Sequence, residues 1–153
     1  MKMINEIAIT DDVTIITVDN LPNTAAAIAA VFERLSAERM NVDMICKLPA
    51  LGGNTAVSFT VPDSEFSGAA KIISELKQEI PGVNVYANSG NAKIMVSGEG
   101  MRTAHGVAAK VFCVFAEKNI EIKLITTSEI DISILVNHSD VDAAFEALKA
   151  ALL

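Results

Sequence analysis

Leu21–Ile45, LPNTAAAIAAVFERLSAERMNVDMI, recurs with different letters at Met101–Ile125, MRTAHGVAAKVFCVFAEKNIEIKLI. Set 80 positions apart, Asn41 falls on Glu121, and Ile28, Val31, Phe32 and Leu35 fall on Ala108, Val111, Phe112 and Phe115. Each set is apolar at i, i+3, i+4 and i+7, the spacing that lines one face of a helix. The two copies therefore read as the same amphipathic helix packed on the same kind of surface, and the chain as a doubled module.

The length suits a doubled module. In a chain of 153 residues, each half is near the smallest size that buries a useful core alone, so the halves are expected to lean on each other or on a second chain. A homodimer is the expectation. The formal charge of −7, with one Tyr, six Phe and no Trp, argues against a nucleic-acid groove, which needs a basic face and stacking aromatics. Polar residues interrupt every apolar run well short of the roughly 18 needed to cross a bilayer. Met1–Asn5 lacks the apolar stretch of a signal peptide. A soluble cytoplasmic protein without a membrane partner is expected. Cys46 and Cys113 have no Cys or His at metal-ligand spacing, so they read as small reduced core residues, and no metal or cofactor is expected.

Along the first copy, Val13–Val18 is a β-branched run and reads as a strand. Asp19 to Thr24 reads as a turn offering Asn23 or Thr24 as a helix cap, with helix to about Arg39. Asn41–Lys47 and Thr55–Val61 read as strands joined by a hairpin loop through Pro49, Gly52, Gly53 and Asn54. Asp63 is expected to cap a second helix that turns Phe66, Ala69, Ala70, Ile73 and Leu76 inward. Pro81-Gly82 stops it, and Val83–Tyr86 makes a fourth strand. The order β-α-β-β-α-β is that of ferredoxin-like sandwiches, an α+β fold with an antiparallel sheet and helices on one face.

The second copy starts at Ile94–Ser97 and repeats the pattern through the Asp140–Leu152 helix, but it lacks a final strand. The offset falls to 75 after the hairpin, because the loop at Thr127-Ser128-Glu129 is five residues shorter. One strand-like segment, Ile4–Thr10, remains unassigned at the other end of the chain. Strand counting places it at the open edge of the second sheet, where an unpaired strand would otherwise expose its backbone. The first module is then inserted into the second.

Ile125 to Ser133, after Gly100-Met101-Arg102 and Gly106 to Phe112, resembles the second ACT domain of aspartokinases. Asn41 to Ile45 and Ser58 to Pro62 are similar to the first ACT domain of the same proteins. The resemblance implies two ACT domains, the first at 11–90 and the second at 1–10 plus 91–153. It further implies a regulatory unit that binds threonine or lysine and controls a kinase, with units pairing side by side into continuous sheets and holding ligands between modules. Nothing in the chain matches the Lys-Phe-Gly-Gly start of an aspartokinase catalytic domain, so it is not expected to phosphorylate aspartate itself. An aspartokinase catalytic subunit is an implied partner.

A free amino acid presents a carboxylate and an ammonium close together, and a helix N-terminus offers N–H groups and partial positive charge to the former. Asn23, Thr24 and Ala25 are the candidate donors, and Asp19 the candidate acceptor for the ammonium. In the family the matching loop reads Asp-x-Pro-Gly; here Asp19, Pro22 and Asn23 stand in a shifted spacing. By the resemblance, Asn41 holds the ligand, Lys47 and Glu121 stand where Gln and a second Asn are usual, and Ala108 aligns with a ligand-contacting Thr. Asp19, Asn23, Thr24, Ala25, Asn41, Lys47, Ala108 and Glu121 are therefore the candidate effector contacts.

Each candidate also has a structural role open to it. Asp19 and Asn23 in a strand-to-helix turn can simply be capping residues, and Lys47 and Glu121 can pair as ions in the ligand's place. His105 and His138 read as solvated, and Ser128-Glu129 as shaping a tight hairpin, with no His base beside them for catalysis. Aliphatic Ile94, Met95, Val96 and Ile122 occupy the positions where an RNA-recognition sheet carries aromatics. Arg102 lacks the neighbours of an acylphosphatase anion loop. The rival reading is a scaffold that uses the fold for dimerisation alone.

Overall fold

Two long antiparallel strands, β1 (Glu6–Pro22) and β4 (Asn84–Ser97), organise the computed structural model, which describes residues 3–153. Met1 and Lys2, part of the second module as read from sequence, lie outside the described residues. The sequence reading divides each long strand in two, with breaks at Asp11-Asp12 and across Ala87–Lys93. The chain runs through both as strand, with left-handed residues, Asp12 at φ 56° and Gly90 at φ 75°, absorbing the interruptions. Between them lie α1 (Ala25–Ala37), β2 (Ile45–Lys47), β3 (Asn54–Pro62) and α2 (Phe66–Glu79). After β4 come α3 (Val107–Glu117), β5 (Leu124–Thr127), β6 (Asp131–Asn137) and α4 (Val141–Leu152).

The chain forms two compact units, one from Asp12–Ser89 and one from the segment ending at Asp11 together with Gly90–Leu153. In the Asp12–Ser89 unit the strand order is β2-β3-β1-β4. β1 and β3 pair from Val13↔Pro62 to Val18↔Val57, then shift register to Leu21↔Thr55, with Asn20 at φ 57° in the bulge. Ile16 and Val18, with their partners Phe59 and Val57, face Val31 and Leu35 of α1 and Ala69, Ile72 and Leu76 of α2 in one buried cluster. Both helices therefore cover one face of this sheet. Arg34 pairs with Glu75 at 3.1 Å and also with Glu79, and Lys71 pairs with Glu38 at 3.2 Å. The Glu38 carboxylate raises the Lys71 ammonium above its ordinary pKa.

Several local expectations give way to specific contacts. Asp19 to Pro22 stay in the strand rather than in a turn, and Thr24 is the cap, its hydroxyl accepting the Ala27 N–H at 3.1 Å. Helix α1 ends at Ala37, two residues before Arg39, which takes φ 56°. Regular β2 pairing begins only at Ile45, after an irregularity in which the Asp43 N–H donates to the Thr60 carbonyl at 3.1 Å, the Thr60 N–H to the Met44 carbonyl at 3.1 Å and the Met44 N–H to the Thr60 hydroxyl at 3.0 Å. Asp63 caps no helix: its carboxylate accepts the Thr14 hydroxyl at 2.6 Å, from within a 3₁₀ turn that precedes α2. Of the residues expected to face inward, Ala69 and Leu76 are buried and Ile73 packs against the core, whereas Phe66 and Ala70 are exposed and Ile72 is buried instead. Cys46 is half-buried and Cys113 exposed, so neither is a core residue.

In the other unit the strand order is β1-β4-β6-β5. β4 and β6 pair from Asn91↔Asn137 to Ser97↔Asp131. Ala92, Ile94, Val96, Ile132, Ile134 and Val136 pack with Val111 and Phe115 of α3 and Ala144 and Leu148 of α4. Ile4 is fully buried in the same cluster, and the Asn5 N–H donates to the Ser97 carbonyl at 2.8 Å. No helix among the described residues is long and apolar enough to cross a membrane.

Candidate strand-to-helix clefts

Each unit has a cleft where the hairpin of its sheet meets the loop leading from a strand into a helix. In the Asp12–Ser89 unit the cleft holds about 230 Å³ and is lined by Asp19, Asn20, Leu48, Pro49, Leu51, Asn54, Thr55 and Ala56. The β1 bulge places Asp19 and Asn20 there. The Asn54 amide donates to Asn20 Oδ1 at 2.8 Å, the Asn20 amide donates to the Gly82 carbonyl at 2.8 Å, and the Thr55 hydroxyl donates to the Leu48 carbonyl at 2.6 Å. These bonds fix the rim. Asp19 remains exposed, with one oxygen accepting the Asn20 N–H at 2.8 Å and the rest of the carboxylate open.

Of the other candidates in this unit, none lines the cleft. The Asn23 N–H donates to the Gly53 carbonyl at 3.0 Å and the Thr24 N–H to the Pro22 carbonyl at 2.8 Å, so two of the three expected donors are already engaged. The N–H groups of Ala25 and Ala26, in the first turn, have no intrahelical partner. Asn41 accompanies α2, its own N–H donating to Glu65 at 3.2 Å. Lys47 borders the hairpin, its ammonium on the Leu48 carbonyl at 3.1 Å.

The other unit's cleft is larger, about 370 Å³, between the loop from Met101 to Ala108 and the hairpin at Thr127, Ser128, Glu129 and Ile132. Helix α3 starts after Gly106 at φ 80°, and no side chain caps it. Its first intrahelical bond is Lys110 N–H to Gly106 carbonyl at 3.1 Å, so the N–H groups of Val107, Ala108 and Ala109 need acceptors from elsewhere. Glu129 pairs with Arg102, whose Nε also meets Glu99 at 3.2 Å. Ser128 gives its hydroxyl to Asp131 and accepts the Ile130 N–H at 3.2 Å, closing the hairpin. Ala108 and His105 line this cleft; Glu121, exposed in the turn after α3, does not.

The sequence signals point to the helix starts and not to the hairpin walls. One signal was available: Leu48 and Leu51 stand in a loop with Pro49, Gly52 and Gly53, and both are exposed in the structure, at 57% and 87%. No group of three or more His, Cys, Asp or Glu among the described residues could hold a metal ion.

The ACT domain family matches residues 94–152. The chain is 32% identical over 149 residues to the aspartokinase of Bacillus sp. (strain MGA3), covering 97% of this chain and 36% of that protein. In structure it resembles the regulatory subunit of aspartate kinase from Thermus thermophilus in its ligand-free form, with a TM-score of 0.90, 26% identity, and 99% and 100% of the two chains covered. A crystal structure of aspartokinase alpha and beta subunits gives a TM-score of 0.88 and 31% identity, with 97% of each chain covered. The chain belongs to the ACT-domain family, with the regulatory regions of aspartokinases. It spans about a third of the length of the curated relatives it matches. Among the described residues of this ACT chain, the four helices, the six strands and their antiparallel pairing correspond to tandem regulatory domains.

Proposed function

We propose that the chain is an amino-acid-sensing regulatory unit for an aspartokinase, acting on a catalytic partner without phosphorylating aspartate itself. Support comes chiefly from its end-to-end correspondence to the regulatory subunit of the Thermus enzyme. Two clefts, each large enough for one amino acid, add to it. In this reading the unit works in the cytoplasm as a homodimer.

The chemistry of the two clefts differs. In the first, Asp19 would accept an ammonium beside the apolar wall of Leu48, Pro49 and Leu51. In the second, the uncapped start of α3 at Val107 and Ala108 would take a carboxylate. Lys47, beside Leu48, would act at the border of the first cleft, whereas Asn41 and Glu121 line neither cleft and take no part in this reading. Threonine and lysine are the effectors to try first.

Calorimetric titration with each of the twenty amino acids is the direct test. One saturable heat, lost in Asp19→Ala or in Ala108→Leu, which fills the second cleft, supports the sensor. The scaffold reading has its own support in the self-satisfied turn before α1, where Asn23 and Thr24 already bond within the loop. Twenty flat titrations, with the dimer intact in sedimentation, would decide for it.

A further inference from the structure

The unit containing α3 and α4 is incomplete without residues 3–11. Ile4 is fully buried in its core, and Met3, Ile7 and Ile9 pack against the same cluster. The segment is also held through its backbone. Besides the Asn5 to Ser97 hydrogen bond, Gly98 lies so close under it that a Cβ there would meet the Met3 carbonyl oxygen and stand 2.8 Å from the Ile4 Cα. Such a slot fits this stretch of chain whichever molecule supplies it.

What ties the segment to its own chain is a strained residue. Asp12 has φ 56° within a strand that is otherwise extended from Glu6 toward Val18, and it stands at the boundary between the two compact units. The left-handed conformation is unfavourable for any L-residue, less so for Asp than for a β-branched side chain, and neutral for glycine. In an exchanged form residue 12 would be extended, relieving that cost, and residues 3–11 would have left their own slot. The same contacts are then available only on another copy, the arrangement by which identical elements are exchanged between protomers.

We infer that residues 3–11 form an exchangeable strand, and that two copies of this chain can each seat this strand over Gly98 of the other, with Asp12 as the hinge. Concentration and the backbone preference of residue 12 set the balance between the closed and exchanged forms. This holds whether or not the clefts bind an amino acid.

The test uses the full chain with Asn5→Cys and Ser97→Cys in a Cys46→Ser, Cys113→Ser background, since Asn5 and Ser97 are neighbours across the strand pair. Each hinge variant is refolded at high protein concentration, oxidised and run on a non-reducing denaturing gel. A closed segment gives a disulfide within one chain and a monomer band. An exchanged segment gives a covalent dimer that reductant dissolves. The expected result is a dimer band that is strong with Asp12→Val and about tenfold weaker with Asp12→Gly, the scale of the left-handed penalty that glycine removes. A surface-contact homodimer gives only monomer bands, and monomer bands for every hinge would overturn the inference. So would free thiols throughout, because they would mean that the segment is not seated beside Ser97.

Discussion

Thr24 shows how a single side chain sorts between two roles. Its hydroxyl caps α1 through the Ala27 N–H, and replacing such a cap with Ala typically costs about 1 kcal/mol. Thr24→Ala should therefore lower the melting temperature, while Asn23→Ala, which keeps the Asn23 N–H bond to Gly53, should leave it nearly unchanged. Chemical denaturation of the two variants checks this, and equal losses would count against the assignment of the cap. The sequence marked both residues as capping candidates but could not choose between them, because the choice depends on where the bulge at Asn20 ends the strand. Asp63 was misread for a related reason. An acidic residue before a helix looks like a cap, and only the fold brings the Thr14 hydroxyl within 2.6 Å of it. Cys46 and Cys113 read as core because their neighbours are apolar, yet periodicity turns both away from the buried faces.

At the scale of elements, the helices α1 and α3 and their buried stripes were legible because a 3.6-residue period survives substitution: Val31 and Leu35, like Val111 and Phe115, are buried. The long strands were legible only in part, since a left-handed residue inside a paired strand has the same local signature as a turn. Asp12 and Gly90 are such positions. On α2 the spacing was legible at Ala69, Ile73 and Leu76, but it assigned Phe66 and Ala70 inward where Ile72 is buried instead. Gly98 carries the element-scale prediction. Its backbone is extended, so glycine is not required by its dihedrals; it is required by the Met3–Ile4 backbone against it. Gly98→Ala should cost about 1–3 kcal/mol, the range for forcing a methyl into a packed site, and should abolish hydrogen-exchange protection at the Asn5 amide. The Asp12–Ser89 unit should keep its protected amides. At Gly52, where a Cβ meets open space, Ala should cost about 1–2 kcal/mol from its left-handed φ alone. Preserved protection at Asn5 in Gly98→Ala would show that the strand can move aside without detaching.

For the molecule as a whole, the repeat decides the architecture and the ligand question turns on linkage. The duplicated helix implied two sandwiches of one kind, and the fold corresponds to tandem ACT regulatory domains. The candidate site was less legible. Its walls come from hairpins remote in sequence from the helix starts, such as Leu48 to Ala56 against Asp19, and no motif connects them. An effector that binds only the folded chain stabilises it by about 2.7 kcal/mol at a hundred times its dissociation constant. For a chain of this size that corresponds to a rise in melting temperature of roughly 5–10 °C. The rise should vanish in Asp19→Ala if the first cleft holds the effector and in Ala108→Leu if the second does. Asp19 is exposed and its carboxylate bonds only the adjacent Asn20 N–H, so the ligand-free melting temperature of Asp19→Ala should stay close to that of the parent. A parallel fall in both the free and the ligand-loaded melting temperatures would instead make Asp19 a structural residue of the β1 bulge. The effector would then have to be sought at the open start of α3, where Gly106 leaves the helix uncapped.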